Sequence, residues 1–273
     1  MQSKIVLEPG KADREYFRDL WRYRELFYVL AWRDVSVRYK QTSVGIAWAV
    51  LRPALSTVVF TVIFGKLGKF PSGGVPYPLL VLAGMLPWQL FSASLSESGA
   101  SLIANSSLIT KVYFPRLIIP GSSMVTSLVD FGISASMLAV LMAVYGVMPG
   151  WQIVLLPMFV LLALVTAAGM GAWISALNVK YRDFHFVVPF VVQLGLYISP
   201  VGFSSSLVPE KWRLLYALNP MVGVIDGFRW CVLGGSFPLF GWSFLVGLAI
   251  VVATAISGFL YFRRTERGFA DVI

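Results

Sequence analysis

Few residues in this chain have the chemistry for a reaction. It has one histidine, His185, and one cysteine, Cys231. A zinc motif such as H-E-x-x-H needs two histidines, so that class is excluded. Intramembrane serine hydrolysis needs a base beside a serine, and His185 sits in a charged stretch next to Arg182 and Asp183 instead. There is no D-x-D motif and no G-x-x-x-x-G-K-[ST] loop to cradle ATP phosphates. A lone cysteine closes no intrachain disulfide. No catalytic residue and no metal site is expected, and any ATP-driven work must come from another subunit. One carboxylate remains of interest, Asp130, inside an otherwise apolar run. An intramembrane acid is a functional hypothesis by default, but a single one bonded to Thr126, Ser127 or Ser134 is equally a structural polar residue. Ion-coupled carriers usually place several such groups deep in the bundle.

The elements that position these residues follow from composition. The chain has 273 residues, 58% hydrophobic and 13% charged, against roughly 25% charged in soluble domains. Such a chain cannot cover itself with polar groups, so lipid must be its main solvent, and one membrane domain is expected. The net charge of +9 is concentrated at the beginning, in Lys4, Lys11, Arg14, Arg18, Arg22, Arg24, Arg33, Arg38 and Lys40. That placement fits the cytoplasmic bias of basic residues and argues against a nucleic-acid partner. The N-terminus lacks the layout of a signal peptide, so the first apolar segment is expected to stay as an anchor.

Tyr16, Leu20, Tyr23, Phe27 and Leu30 recur at spacings of four and three, which predicts an amphipathic helix lying on the membrane or packed on a partner. Six spans are expected, over 46–68, 70–96, 117–148, 151–179, 186–209 and 231–262. In the first, Arg52 and Lys66 must snorkel to opposite surfaces, and Pro53 is expected where the helix breaks at the interface. Pro149 and Gly150 predict a tight hairpin between the third and fourth spans. The segment 210–238 is too apolar for a solvated loop and too broken by Asn219-Pro220, Gly223 and Gly234-Gly235 to cross. It predicts a pair of short re-entrant helices bordering a pathway. Seventeen of the 22 Lys and Arg residues fall on the side of the N-terminus, which places both termini in the cytoplasm. The domain plan is thus a cytoplasmic segment 1–45, an all-helical six-span domain 46–262 and a tail 263–273.

Five stretches in this order, RDVSVRYKQTSVGIAWAVLRP, ITKVYFPRLIIP, NVKYRDFHFVVPF, LNPMVGVIDGFRW and RRTERGFADVI, carry a resemblance to the ABC-2 type polysaccharide exporter permeases. These are the membrane subunits of O-antigen, capsule and teichoic-acid exporters. The resemblance implies a homodimer in the bacterial inner membrane, paired with two copies of a separate subunit that binds ATP and Mg. The pair would move an undecaprenyl-diphosphate-linked glycan outward. It further implies coupling elements at 105–116 and 179–184, through Lys111, Tyr113, Phe114, Arg116, Tyr181, Arg182, Asp183 and Phe184. Ordinary positive-inside loops would explain the arginines there but not the clustered aromatics.

Such a substrate needs a place for its diphosphate, because bare charge in hydrocarbon is costly. Arg33, Arg38, Lys40 and Arg52 are the candidates, with lipid-headgroup anchoring as the other reading. Sugar faces stack on aromatic rings, and by resemblance Trp48, Phe60, Phe64, Tyr197 and Phe203 line the conduit. With aromatics at 15% of the chain, lipid contact or packing is the other reading for each. Tyr216, Asn219, Pro220, Asp226 and Arg229 are implied as an outer gate, although Asp226 and Arg229 at i, i+3 also make a plain helix pair. Two further functions stay open: an ABC-2 exporter of a drug or small lipid, and a stand-alone channel or carrier. The coupling loops would have no job in the latter.

Overall fold

A computed structural model describes residues 12–40, 45–181, 183–235 and 241–269. All regular elements among them are helical: α1 (Ala12–Arg22), α2 (Arg24–Lys40), α3 (Gly45–Phe60), α4 (Tyr77–Ala104), α5 (Ser106–Lys111), α6 (Ile118–Tyr145), α7 (Leu156–Lys180), α8 (Phe184–Ile198), α9 (Glu210–Tyr216), α10 (Pro220–Leu233) and α11 (Trp242–Thr265). A π-helical segment, Thr61–Leu67, continues α3, and a 3-10 turn, Trp151–Leu155, leads into α7.

Among the described residues, five segments are long and apolar enough to cross a bilayer: Ala47–Leu67, Tyr77–Ala104, Ile118–Tyr145, Trp151–Lys180 and Trp242–Thr265. The expected stretch 186–209 departs from this. Its helix, α8, has 15 residues, about 22 Å at 1.5 Å per residue against a hydrocarbon core of about 30 Å. Beyond Ile198 the chain runs irregularly to Ser204, with Pro200 unable to continue the helix. The last span begins at Trp242 rather than at 231. Cys231 belongs to α10, which ends at Gly234 and Gly235, both at positive φ (76° and 92°). Pro71, Gly73, Gly74 and Pro76 likewise delay α4 to Tyr77. An uncharged run measures how much apolar chain is present, while the breakers decide how much of it is helix.

Helix α4 is the hub, packing on α6, α7 and α10. Leu79 to Trp88 are buried without a break, so its composition is apolar on every side, as a fully enclosed helix requires. Helix α2 runs along α6, and α7 along α11. The last pair meets through Gly169 and Gly258, where a Cβ on Gly258 would collide with the Gly169 carbonyl and a Cβ on Gly169 would lie 2.7 Å from the Ala255 Cα. Small residues permit this approach, and interhelical packing of this kind drives association in lipid. Gly258→Val should lower stability by about 1–3 kcal/mol, read as a fall in the thermal unfolding midpoint in detergent. Ile256→Val, two residues earlier at an exposed site on the other side of the helix, should leave the midpoint unchanged.

Two expectations about the N-terminal part change. The stripe faces inward: Leu20, Tyr23 and Leu30 pack into a cluster with Ile109, Phe114, Ile118 and Phe262, Tyr16 is buried against Phe259, and Phe27 meets Gly121. Trp21, Tyr28 and Trp32, seven and four residues apart, form the exposed aromatic stripe instead. Pro53 also sits inside α3, not at a break. Proline has no N–H for the carbonyl four residues earlier, and the Ser134 Oγ of α6 donates to that carbonyl, on Ala49, at 3.1 Å.

Candidate functional site

Three groupings of polar side chains stand out. The first surrounds the irregular strap 198–204. Exposed backbone is costly at membrane depth unless every carbonyl finds a donor, and the strap's carbonyls are bonded by side chains from elsewhere. The Tyr216 hydroxyl donates to Ile198 O at 2.8 Å, and the Tyr77 hydroxyl to Gly202 O at 2.7 Å. Arg229 donates from Nη2 to Val201 O at 2.7 Å, from Nη1 to Phe203 O at 2.9 Å and from Nε to Leu80 O at 3.0 Å. Asn219 Nδ2 bonds Ser199 Oγ at 2.9 Å while its Oδ1 caps α10 by accepting from Met221 N. Pro220 follows at the first helical position, where its missing N–H costs nothing. Asp226 stands 4.0 Å from Arg229 Nη1. The residues singled out in 210–238 therefore converge on one segment, and what they build is a clamp. Phe60 and Phe64, in ring contact at 5.4 Å, press on the strap at Gly202.

The second grouping is a cavity of about 470 Å³ between the end of α2, α3, α4, α6 and α8. Its wall includes Arg38, Trp48, Arg52, Gln89 and Asp130, with Ser92, Ser96, Ser127 and Ser134 adding hydroxyls. Asp130 is not held by the neighbouring serines. Arg38 Nη2 pairs with its Oδ2 at 2.8 Å, Arg38 Nη1 pairs with Glu97 Oε1 at 2.9 Å, and the Tyr39 hydroxyl donates to Asp130 Oδ1. Burial, and then the bond to Asp130, holds the Tyr39 hydroxyl well above its usual range, so it stays a donor. Arg38 is thus neutralised within the protein. Arg52 has no ionic partner among the described residues. Arg33 is engaged elsewhere, with Asp34 at 2.7 Å and Asn105 at 2.8 Å, and Lys40 is exposed at the end of α2. Of the four basic candidates, only Arg38 and Arg52 share a cavity.

The third grouping is the elbow between α5 and α6. Its residues part company: Lys111 and Tyr113 (66% exposed) face out, whereas Phe114 (4%) is buried and Arg116 turns inward to the Glu266 carbonyl. At the other short loop, Tyr181 and Asp183 are exposed, Tyr181 lies 6.4 Å from the Phe184 ring, and Lys180 Nζ sits 5.2 Å over Tyr181. Arg182 lies outside the described residues. Among the aromatic conduit candidates, Trp48 lines the cavity, Phe203 belongs to the strap, Phe60 and Phe64 pack against it at Gly202, and Tyr197 is exposed on α8.

Sequence reasoning passed over Glu97, Tyr39 and Tyr77. Glu97 is the one charged residue of α4, so the rule that flagged Asp130 would have found it. Tyr39 and Tyr77 carry no such signal, because their importance comes from what folds against them.

A bundle of long apolar helices around a polar cavity is the architecture of a multi-pass membrane protein. Residues 25–233 match the ABC-2 type transporter family, and the chain belongs to it. It is 30% identical to the O-antigen export system permease protein RfbA of Myxococcus xanthus over 94% of this chain and 98% of that one. It is 28% identical to a Klebsiella pneumoniae protein of the same name, over 91% and 95%. It is 20% identical to the polysialic acid transport protein KpsM of Escherichia coli, over 74% and 79%.

Proposed function

We propose that this chain is the membrane subunit of an ATP-driven exporter of a lipid-linked polysaccharide, O-antigen first among the candidates, in a bacterial inner membrane. The observation that carries this reading is similarity along almost the whole chain to permeases of O-antigen export, and the serine- and arginine-lined cavity is chemically suited to a hydrated, anionic cargo. In this reading, α8 and the strap together make a sixth crossing, α9 and α10 form the re-entrant pair, and both termini lie in the cytoplasm. The permease works as a homodimer with two ATP-hydrolysing subunits that bind ATP and Mg. An undecaprenyl diphosphate head is received at Arg52, with Arg38, already paired to Asp130 and Glu97, on the same wall. Trp48 beside them offers a ring face to a sugar.

The ATPase grips Lys111 and Tyr113 at one elbow and Tyr181 and Asp183 at the other. A contact that survives both nucleotide states favours exposed aromatics on short, stiff supports. Tyr113→Glu combined with Tyr181→Glu should reduce co-purification of the ATPase at least about tenfold, the loss expected of two interface anchors. Undiminished co-purification would remove these loops from the interface. The function itself is tested by co-expressing chain and ATPase partner in a strain lacking its own O-antigen export permease. Surface glycan should return. Restored drug resistance without surface glycan would favour the small-molecule exporter instead.

A further inference from the structure

The C-terminal stretch RRTERGFADVI is absorbed by none of these roles, yet its described part, 263–269, is tied to two distant segments. The Tyr16 hydroxyl of α1 donates to Glu266 Oε2 at 3.2 Å, and Arg263 Nη1 approaches Glu266 Oε1 at 3.4 Å. The Arg263 guanidinium lies 3.7 Å over the Tyr16 ring. Arg116, from the elbow, donates to the Glu266 backbone carbonyl and stacks 5.8 Å over Phe269. That carbonyl lies just beyond the end of α11, where backbone acceptors have lost their helical donors. Phe269 is 1% exposed, in edge contact with Phe262 at 5.5 Å, and shares its cluster with Leu30, Leu102, Ile109 and Phe114.

Geometry explains why such a tie is needed. Between Lys111 and Ile118 the chain is irregular, extended at Val112, bent at Phe114 and turning at Arg116 and Leu117, with few backbone bonds of its own, among them Val112 N to Leu108 O and Ile118 N to Pro115 O. A push on Tyr113 would bend that elbow unless side chains stiffen it. The outward residues, Lys111 and Tyr113, are free to meet a partner, while the inward ones, Phe114 and Arg116, are held by the tail.

We infer that residues 263–269 are a clasp that locks the 112–116 elbow and α1 into one body, so that force delivered at the elbow reaches α4 and α6. Glu266 and Phe269 are its positioning residues. Burial, and next the Glu266 carboxylate, keeps the Tyr16 hydroxyl well above its usual range, so this donor persists at any physiological pH. The inference rests on the reading of 105–116 as the coupling element.

The test uses the full complex with its ATPase in inside-out vesicles from the strain whose export it supports, and reads glycan exported per ATP hydrolysed. A merely structural residue changes the amount of complex, not this ratio. Glu266→Ala and Phe269→Ala should lower the ratio about fivefold or more, within the range of coupling free energies carried by residues touching neither ligand. Glu266→Gln keeps a side-chain acceptor oxygen for the Tyr16 hydroxyl and should recover to within about twofold. Tyr16→Phe removes one hydroxyl and keeps the ring, and should lower the ratio about twofold even if Phe269→Ala fails to accumulate. Tyr113→Ala serves as the control on the coupling reading. If it lowers the ratio while the clasp variants and Tyr16→Phe leave theirs unchanged, the clasp is refuted. If Tyr113→Ala changes neither assembly nor ratio, the coupling reading falls and the clasp with it.

Discussion

Replacing Arg229 with alanine is expected to cost about 3–5 kcal/mol, the range measured when a buried charge loses its partner, and to leave little folded protein in the membrane fraction. One planar guanidinium spends all three of its nitrogens on carbonyls of Leu80, Val201 and Phe203. Two of those carbonyls belong to the strap, whose irregular backbone has few ladder partners of its own. Alanine would orphan all three and leave Asp226 without its cation. Charged-group hydrogen bonds contribute about 1.5–3 kcal/mol each, although losses in one cluster do not add. Arg229→Lys should recover less than half of the loss, because a single ammonium cannot span three acceptors held in a fork. A Cβ on Gly84 would collide with Arg229 Nη2, so a glycine is needed there for the guanidinium to reach its three carbonyls. By contrast Arg213→Ala, which removes an exposed partner of Glu210 at 3.6 Å, should change stability by less than about 0.5 kcal/mol. Thermal unfolding midpoints of the three variants in one detergent decide the matter. An Arg229→Ala midpoint close to that of Arg213→Ala would mean that the clamp does not hold the strap.

That clamp also shows what the sequence could and could not tell. Long apolar runs were legible because hydrocarbon thickness demands them, and five of the six expected crossings have a matching helix. The neighbourhood of Asn219, Asp226 and Arg229 was legible as special, since polar residues among breakers at membrane depth need a reason. Its purpose was not, because the partners of Arg229 are carbonyls of residues 149 and 28 positions away, and a carbonyl has no sequence signature. The N-terminal stripe illustrates a different limit. A period of 3.6 identifies an apolar face but not what covers it, and α1 and α2 carry two such faces, one turned inward at Tyr16 and Leu30, the other outward at Trp21, Tyr28 and Trp32. Elbow residues fail for a third reason. Tyr113 and Phe114 are adjacent aromatics in an irregular segment with no period to assign their faces, and only the fold says which one meets the core.

The cavity arginines should separate under mutation although they share one wall. Arg52→Gln is expected to cut export about tenfold or more with thermal stability intact, since an unpaired cation that meets a diphosphate in low dielectric is worth at least a charge-assisted bond. Among the described residues its side chain makes no ion pair whose loss could unsettle the fold. Arg38→Gln should cut export and stability together, because it strips Glu97 and Asp130 of their shared cation and loosens α2 from α4 and α6. Asp130 lies about 18 Å along α6 at 1.5 Å per residue, within an apolar span where a carboxylate that has lost its cation is costly. Asp130→Asn added to Arg38→Gln should therefore restore about 1 kcal/mol of the stability lost, the coupling expected of a half-exposed contact pair. Export should remain low in that double variant if Arg38 also attracts the anion, and recover if its only task is to tether α2. Equal stability losses for Arg52→Gln and Arg38→Gln would contradict the division of labour read from their partners. Arg52 would then be a structural cation, and the diphosphate would need another seat.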